Sequence, residues 1–196
     1  MTDMINPMYL EAATIQQLSQ HFHRDPEFKS TILLDFLTPA GLQLLEEEEK
    51  NLSFVPSGNP IVSRGDYAQS SDLITDVFTN QIFIELISRI TGEAISFDTI
   101  QAMQYSHRGY QIIHDDAILP PGVDVILDLT PTWDDEMGGT VVYTDGSGQF
   151  YTIPSNYGSL AVIKRPAGLH FFVKYVNHYA DNLHRNIIIG NSTVER

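Results

Sequence analysis

Apolar and polar residues follow two different periods along this chain, and the change comes near residue 99. In the first half the apolar positions keep helical spacing. Thr38-Pro39 supplies a hydroxyl cap and a proline at the first helical position, and Leu42, Leu44 and Leu45 then form a stripe that runs into Glu46, Glu47, Glu48 and Glu49. The glutamates read as a solvated helix face. Leu73, Val77, Ile84, Ile87 and Ile90 recur at helical intervals, which predicts one helix from about Asp72 to Thr91, closed by Gly92. Between these segments, Ser53 to Gln69 carries Pro56, Gly58, Pro60 and Gly65 and reads as a long loop, of the kind that borders a site.

From about residue 99 the pattern changes to short runs of β-branched and aromatic residues broken by Pro, Gly, Asp and Asn. The runs are Gly109 to Ile113, Val123 to Leu129, Thr140 to Tyr143, Gln149 to Ile153, Leu160 to Ile163, Phe171 to Val176 and Asn186 to Ile189. Strands at this spacing suggest a barrel or sandwich. Helices first and strands afterwards imply an α+β, mainly β fold in which N-terminal helices brace one sheet of a double-stranded β barrel. The expected organisation is a single domain over 1–196, with helical support and a loop over 1–98 and the β core over 99–190.

Composition narrows the chemistry. The 196 residues, 42% hydrophobic and 18% charged, suit one domain with a sizeable core. No apolar run approaches the roughly 18 residues that span a bilayer, and MTDMINPMYLEAATIQQ lacks the basic and apolar regions of a secretion signal, so a soluble, cytoplasmic protein without membrane contact is expected. The absence of cysteine excludes disulfides and thiolate metal sites and leaves imidazole and carboxylate as metal ligands. The net charge of −14 repels phosphate backbones, which argues against a nucleic-acid partner. His21, His23, His107, His178 and His184 are not assigned to a zinc site, and His21 and His23 read as surface residues.

The segment from Tyr105 to Asp116 holds the strongest chemical signal. If Gly109 to Ile113 is a strand, His114 and Asp116 leave its end on the same side, because side chains two apart share a face. Two imidazoles and one carboxylate on one face of an octahedral iron keep three positions open. After this segment come Val125-Ile-Leu-Asp-Leu-Thr-Pro-Thr-Trp133, Gly138-Gly-Thr-Val-Val-Tyr143, Asn156, Leu169-His170 and Arg185-Asn-Ile-Ile-Ile-Gly190. This ordered series, over roughly residues 100 to 190, resembles the prolyl-4-hydroxylase-like branch of the 2-oxoglutarate- and Fe(II)-dependent dioxygenases.

The resemblance implies a double-stranded β-helix, or jelly roll, with iron held by His114, Asp116 and His170. Arg185 falls where the family grips the distal carboxylate of 2-oxoglutarate, and Tyr105 falls where a hydroxyl would assist it. The implied cofactors are Fe(II), 2-oxoglutarate as co-substrate and O2, with ascorbate as a stimulant. Retention of Asp116 favours hydroxylation over halogenation. The implied target is an unactivated carbon of a prolyl or other amino-acid residue in a protein or peptide; the alternatives are a free amino acid or natural product, or a non-catalytic barrel that binds a small molecule. The surface near Trp133 and the Ser53 to Gln69 loop are the expected entrance. The chain departs from the pattern at two points. Arg185 lies fifteen residues after His170, so Asn177 to His184 must form a longer turn, and Asp128 stands where relatives carry a tyrosine. Asp128 is expected to be paired, by Arg108 or Arg185, or to receive a basic substrate group.

Overall fold

The computed structural model describes residues 2–113, 120–145 and 147–193; His114 and Asp116 lie outside the described residues. Four helices occur in the first half: α1 (Ala12–Phe22), α2 (Pro39–Lys50), α3 (Asp72–Thr79) and α4 (Gln81–Thr91). Thr38 caps α2 as expected, its hydroxyl accepting from the Gly41 amide at 3.1 Å, with Pro39 opening the first turn. Gly92 closes α4 in the left-handed conformation, φ 76°.

Three strands are interleaved with these helices, β1 (Ser30–Leu33), β2 (Val55–Pro56) and β3 (Asp66–Gln69). The second half supplies β4 (Phe97–Tyr105), β5 (Gly122–Asp128), β6 (Val141–Thr144), β7 (Tyr151–Ile153), β8 (Leu160–Arg165), β9 (His170–Val173) and β10 (Arg185–Thr193). They form a seven-stranded sheet in the order β1-β8-β5-β10-β4-β3-β2 and a three-stranded sheet in the order β7-β6-β9.

Alternation along the large sheet divides the interior in two. Val125, Leu127, Leu160, Val162 and Ile188 face the helices and share one cluster with Ile15, Phe22, Leu45, Ile74, Phe78, Phe83 and Ile87. The opposite faces, Met103, Tyr105, Ile126, Ala161, Ile163, Ile187 and Ile189, meet Val141, Tyr143 and Val173 of the small sheet. Burying each of the larger side chains contributes roughly 1.5–3 kcal/mol. The mixed, mainly β class expected from the sequence is therefore observed, in two facing sheets. No closed barrel is formed among the described residues.

Four other readings need correction. The helix expected over 72–91 is two helices, because Asn80 is extended (φ −60°, ψ 135°) and caps α4 by accepting from the Ile82 amide at 3.0 Å. Gly109 to Ile113 is not a regular strand. Gln111 alone forms bridges, to Ser63 on one side and to Val173 on the other. The loop expected over Ser53 to Gln69 contains β2 and β3, which pair across a turn and extend the sheet beyond β4. Glu49 is not solvated: four residues after Leu45, it shares that residue's core-facing side of α2, burial pushes its carboxyl pKa up, and its Oε1 has no partner among the described residues. No helix among the described residues is long and apolar enough to cross a membrane.

Candidate functional site

The space between the two sheets is not uniformly apolar. On β5, Asp124 and Asp128 share a face with Ile126 and point inward, and each meets a buried arginine. Arg185, at the start of β10, pairs through Nη1 with Asp128 and with the Thr130 hydroxyl. The Asp128 carboxylate also accepts from the Thr130 amide, the Ser155 hydroxyl and the Asn156 amide, each at 2.9 Å. Asp128 is thus paired by Arg185, not by Arg108, and its donors fill both oxygens. The Nε of Arg185 is buried and has no partner among the described residues.

A glycine pair sets the position of this arginine. Gly138 has φ 80°, and a Cβ there would lie 2.0 Å from the Tyr175 carbonyl oxygen. Gly139, φ 67°, brings the backbone so close that a Cβ would stand 3.3 Å from Arg185 Cγ. Trp133 holds the same turn by donating to the Gly138 carbonyl at 2.9 Å. Trp133 is not among the residues lining the pocket described below.

At the other end of β5 a second network joins the sheets. Arg165 Nε donates to Asp124 Oδ1 at 2.9 Å, Nη2 to the Ser192 carbonyl at 3.2 Å, and Nη1 to the carbonyl of Pro120, just before β5. Asp124 also accepts from the Tyr143 hydroxyl at 3.0 Å and from Asn191 Nδ2 at 2.8 Å. Burial first, and then the neighbouring Asp124 carboxylate, hold the Tyr143 pKa well above the usual phenol range. Arg165 and Asp124 were not singled out from the sequence. Lys164-Arg165-Pro166 resembles an exposed turn, and only the alternation of Ala161, Ile163 and Arg165 could have turned the side chain inward.

The candidate residues are only partly brought together. Tyr105 is fully buried opposite Arg185 in the β4–β10 register, yet its hydroxyl bonds to Gln111 Oε1 at 2.9 Å and approaches the Tyr67 hydroxyl at 3.3 Å, not the guanidinium. Burial, with Tyr67 beside it, pushes its pKa well up. His170 is half-buried at the start of β9, one turn after Arg165. Phe171 and Val173 pack into the interior, so alternation turns His170 toward the opposite face of that strand. His21, His23, His107, His178 and His184 are exposed and, among the described residues, no cluster of metal-ligating groups forms.

A pocket of about 830 Å³ opens where β3 stops short of the first half of β4. It runs from Ser57, Asn59, Val62 and Ser63 to Met103, Gln111, Phe171 and Asn191.

No protein-family model matches the chain, and no curated protein matches it in sequence. Solved structures do match. A 2OG-Fe(II) oxygenase family oxidoreductase from Burkholderia pseudomallei aligns over 93% of this chain and 94% of its own, with TM-score 0.70 and 12% identity. The prolyl hydroxylase of Trichoplax adhaerens, solved with a hypoxia inducible factor peptide fragment, aligns over 94% of each chain, with TM-score 0.67 and 15% identity. The fold is that of the 2-oxoglutarate–Fe(II) oxygenases. HygX from Streptomyces hygroscopicus, solved with nickel, 2-oxoglutarate and hygromycin B bound, shares it over 89% of this chain and 86% of its own, with TM-score 0.67 and 8% identity.

Proposed function

We propose that this chain is an Fe(II)- and 2-oxoglutarate-dependent oxygenase that hydroxylates an unactivated carbon, built as one jelly-roll domain with the N-terminal helices bracing its large sheet. The observation that carries this reading is Arg185, an interior arginine whose Nε has no partner among the described residues, in a fold shared with these oxygenases. A buried donor without an acceptor is costly. A carboxylate reaching between the sheets would satisfy it and form a charge-assisted contact with the same guanidinium. Tyr105 would add a hydroxyl by exchanging its Gln111 acceptor for that carboxylate.

His114, Asp116 and His170 would hold the iron, a donor set of two imidazoles and a carboxylate that suits Fe(II) in a chain without cysteine. The isolated bridge between Gln111 and Val173 ties the segment before His114 to the small sheet. His170 lies on β9, the strand that carries Val173. Bound iron, with co-substrate and oxygen, would supply the oxidising power. The protein's part is to grip the co-substrate at Arg185, keep the space between the sheets apolar through Ile126, Ile163 and Ile187, and place a substrate in the pocket.

The target implied by resemblance is a prolyl or other amino-acid residue in a peptide; a free amino acid or natural product is the alternative. The similar structures accommodate both, since one holds a peptide fragment and another hygromycin B.

Succinate formation from 2-oxoglutarate under air with added Fe(II) tests the reaction class. Wild type is expected to form succinate, His114→Ala and Asp116→Ala to form none, and Arg185→Ala to require far more 2-oxoglutarate. Equal succinate formation in wild type and both iron-ligand variants would sink the reading.

A second reading, a non-catalytic binding fold, is favoured by two observations. Asp128 already meets the charge of Arg185, and His170 lies on the face of β9 away from Phe171. Absence of succinate together with failure to bind Fe(II) would select it.

A further inference from the structure

The chemistry of the pocket walls goes further than the reaction class. Among the described residues lining the 830 Å³ pocket, most side chains are uncharged hydroxyls and amides, Asp98 is the one charged group, and no lysine or arginine takes part. The volume is that of a small-molecule site. A site for a phosphate, sulfate or carboxylate ligand would need a cation or a converging set of amides, and none of the described lining residues supplies one.

The neutral groups are arranged so that donors and acceptors are both left over. Gln111 Oε1 accepts from the Tyr67 hydroxyl at 3.1 Å whether or not Tyr105 keeps its own bond to it, and Gln111 Nε2 has no acceptor among the described residues, which leaves it a double donor. The Tyr67 oxygen also meets the Ser63 hydroxyl, and the Ser63, Tyr67 and Tyr105 hydroxyls together form a chain of groups that can donate or accept. The Gln101 amide, on β4, makes no hydrogen bond to any described residue and so offers two donors and one acceptor. Ligand groups that donate and accept at the same atom meet such mixed walls without leaving either side unpaired, and hydroxyls do this. Tyr67 and Phe171 add aromatic surfaces for the C–H faces of a ring. At the rim, Asp98 is exposed, and its Oδ2 accepts the Thr193 amide at 2.7 Å, its one hydrogen bond among the described residues, so its charge can meet a cation.

We infer that this pocket binds a polyhydroxylated ring compound, neutral or bearing amino groups, of the glycoside or aminocyclitol type. This rests on the oxygenase reading only in taking that compound to be the substrate.

The test uses the full chain loaded with Mn(II) and N-oxalylglycine, whose binding is measured first by calorimetry. Four probes are then titrated: the aminoglycoside kanamycin, the neutral disaccharide trehalose, glucose 6-phosphate, and a blocked Ala-Pro-Ala peptide. Kanamycin is expected to bind most tightly, trehalose next, and the sugar phosphate at least tenfold more weakly than trehalose. Gln101→Leu, which breaks no internal hydrogen bond, is expected to weaken both polyols about fivefold, the effect of a lost hydrogen bond. Asp98→Asn, which keeps the Thr193 contact, is expected to bring kanamycin down toward trehalose while leaving trehalose unchanged. Tighter binding of the peptide or the sugar phosphate, no binding of either polyol, or no effect of Gln101→Leu would overturn the inference. Polyol binding by a chain that fails to bind Mn(II) and N-oxalylglycine would keep it while removing the oxygenase reading.

Discussion

Replacing Arg185 with methionine is expected to lower the free energy of unfolding in urea by about 3–5 kcal/mol, the usual effect of leaving one member of a buried ion pair without its partner. Asp128 would remain inside with its charge, and three neutral donors would not replace a guanidinium. Adding Asp128→Asn to this variant should recover part of the loss, because the uncompensated charge is gone. Arg185→Lys separates structure from ligand binding. A lysine can still neutralise Asp128, but as a point charge it cannot also serve an acceptor at the Nε position. Its stability should lie close to wild type while its affinity for 2-oxoglutarate falls at least about tenfold, the equivalent of one charge-assisted hydrogen bond. A lysine variant with unchanged affinity would remove Arg185 from the co-substrate site.

Arg165→Met should be as damaging, again by about 3–5 kcal/mol, and for more distributed reasons. This guanidinium reaches β5 through Asp124, β10 through Ser192 and the returning chain at Pro120, while Asp124 carries the load onward to Tyr143 of the small sheet. No other side chain can meet three acceptors in those directions. Arg165→Lys should therefore remain destabilised, in contrast to Arg185→Lys. A loss below about 1 kcal/mol in Arg165→Met, within the range of an exposed pair, would show that the network does not tie the sheets together.

Much of the fold was legible because local signals agreed with burial. Thr38-Pro39 opened a helix, Gly92 closed one, and the β-branched runs from Val123 onward fell on strands. The misses have physical causes. The apolar stripe of Leu73, Val77, Ile84 and Ile87 passes straight through Asn80, so periodicity alone joined two helices whose break is a capping interaction. β4 does not read as a strand from the sequence because Asp98, Thr99 and Gln101, in its pocket-lining half, interrupt the apolar alternation that identifies one. Gln111 reads as part of a strand by composition, but its neighbours leave room for a single bridge on each side.

The site was legible in one part and hidden in another. Arg185 stood out as a cation ahead of an apolar strand, and its partner Asp128 was visible as a departure from the family pattern. Asp124 and Arg165 were hidden, since a buried charge is found only by carrying alternation through residues whose type suggests the surface. Which way His170 turns depends on the register of β9 against β6, which no single sequence states.

The most direct test of the central claim is anaerobic addition of Fe(II) to the protein with and without 2-oxoglutarate, followed in the visible region. The account predicts an absorption band that requires both additions and is lost in His114→Ala, Asp116→Ala and His170→Ala. Its absence in wild type, or its persistence in any of the three variants, would contradict the assignment of iron and co-substrate to these residues.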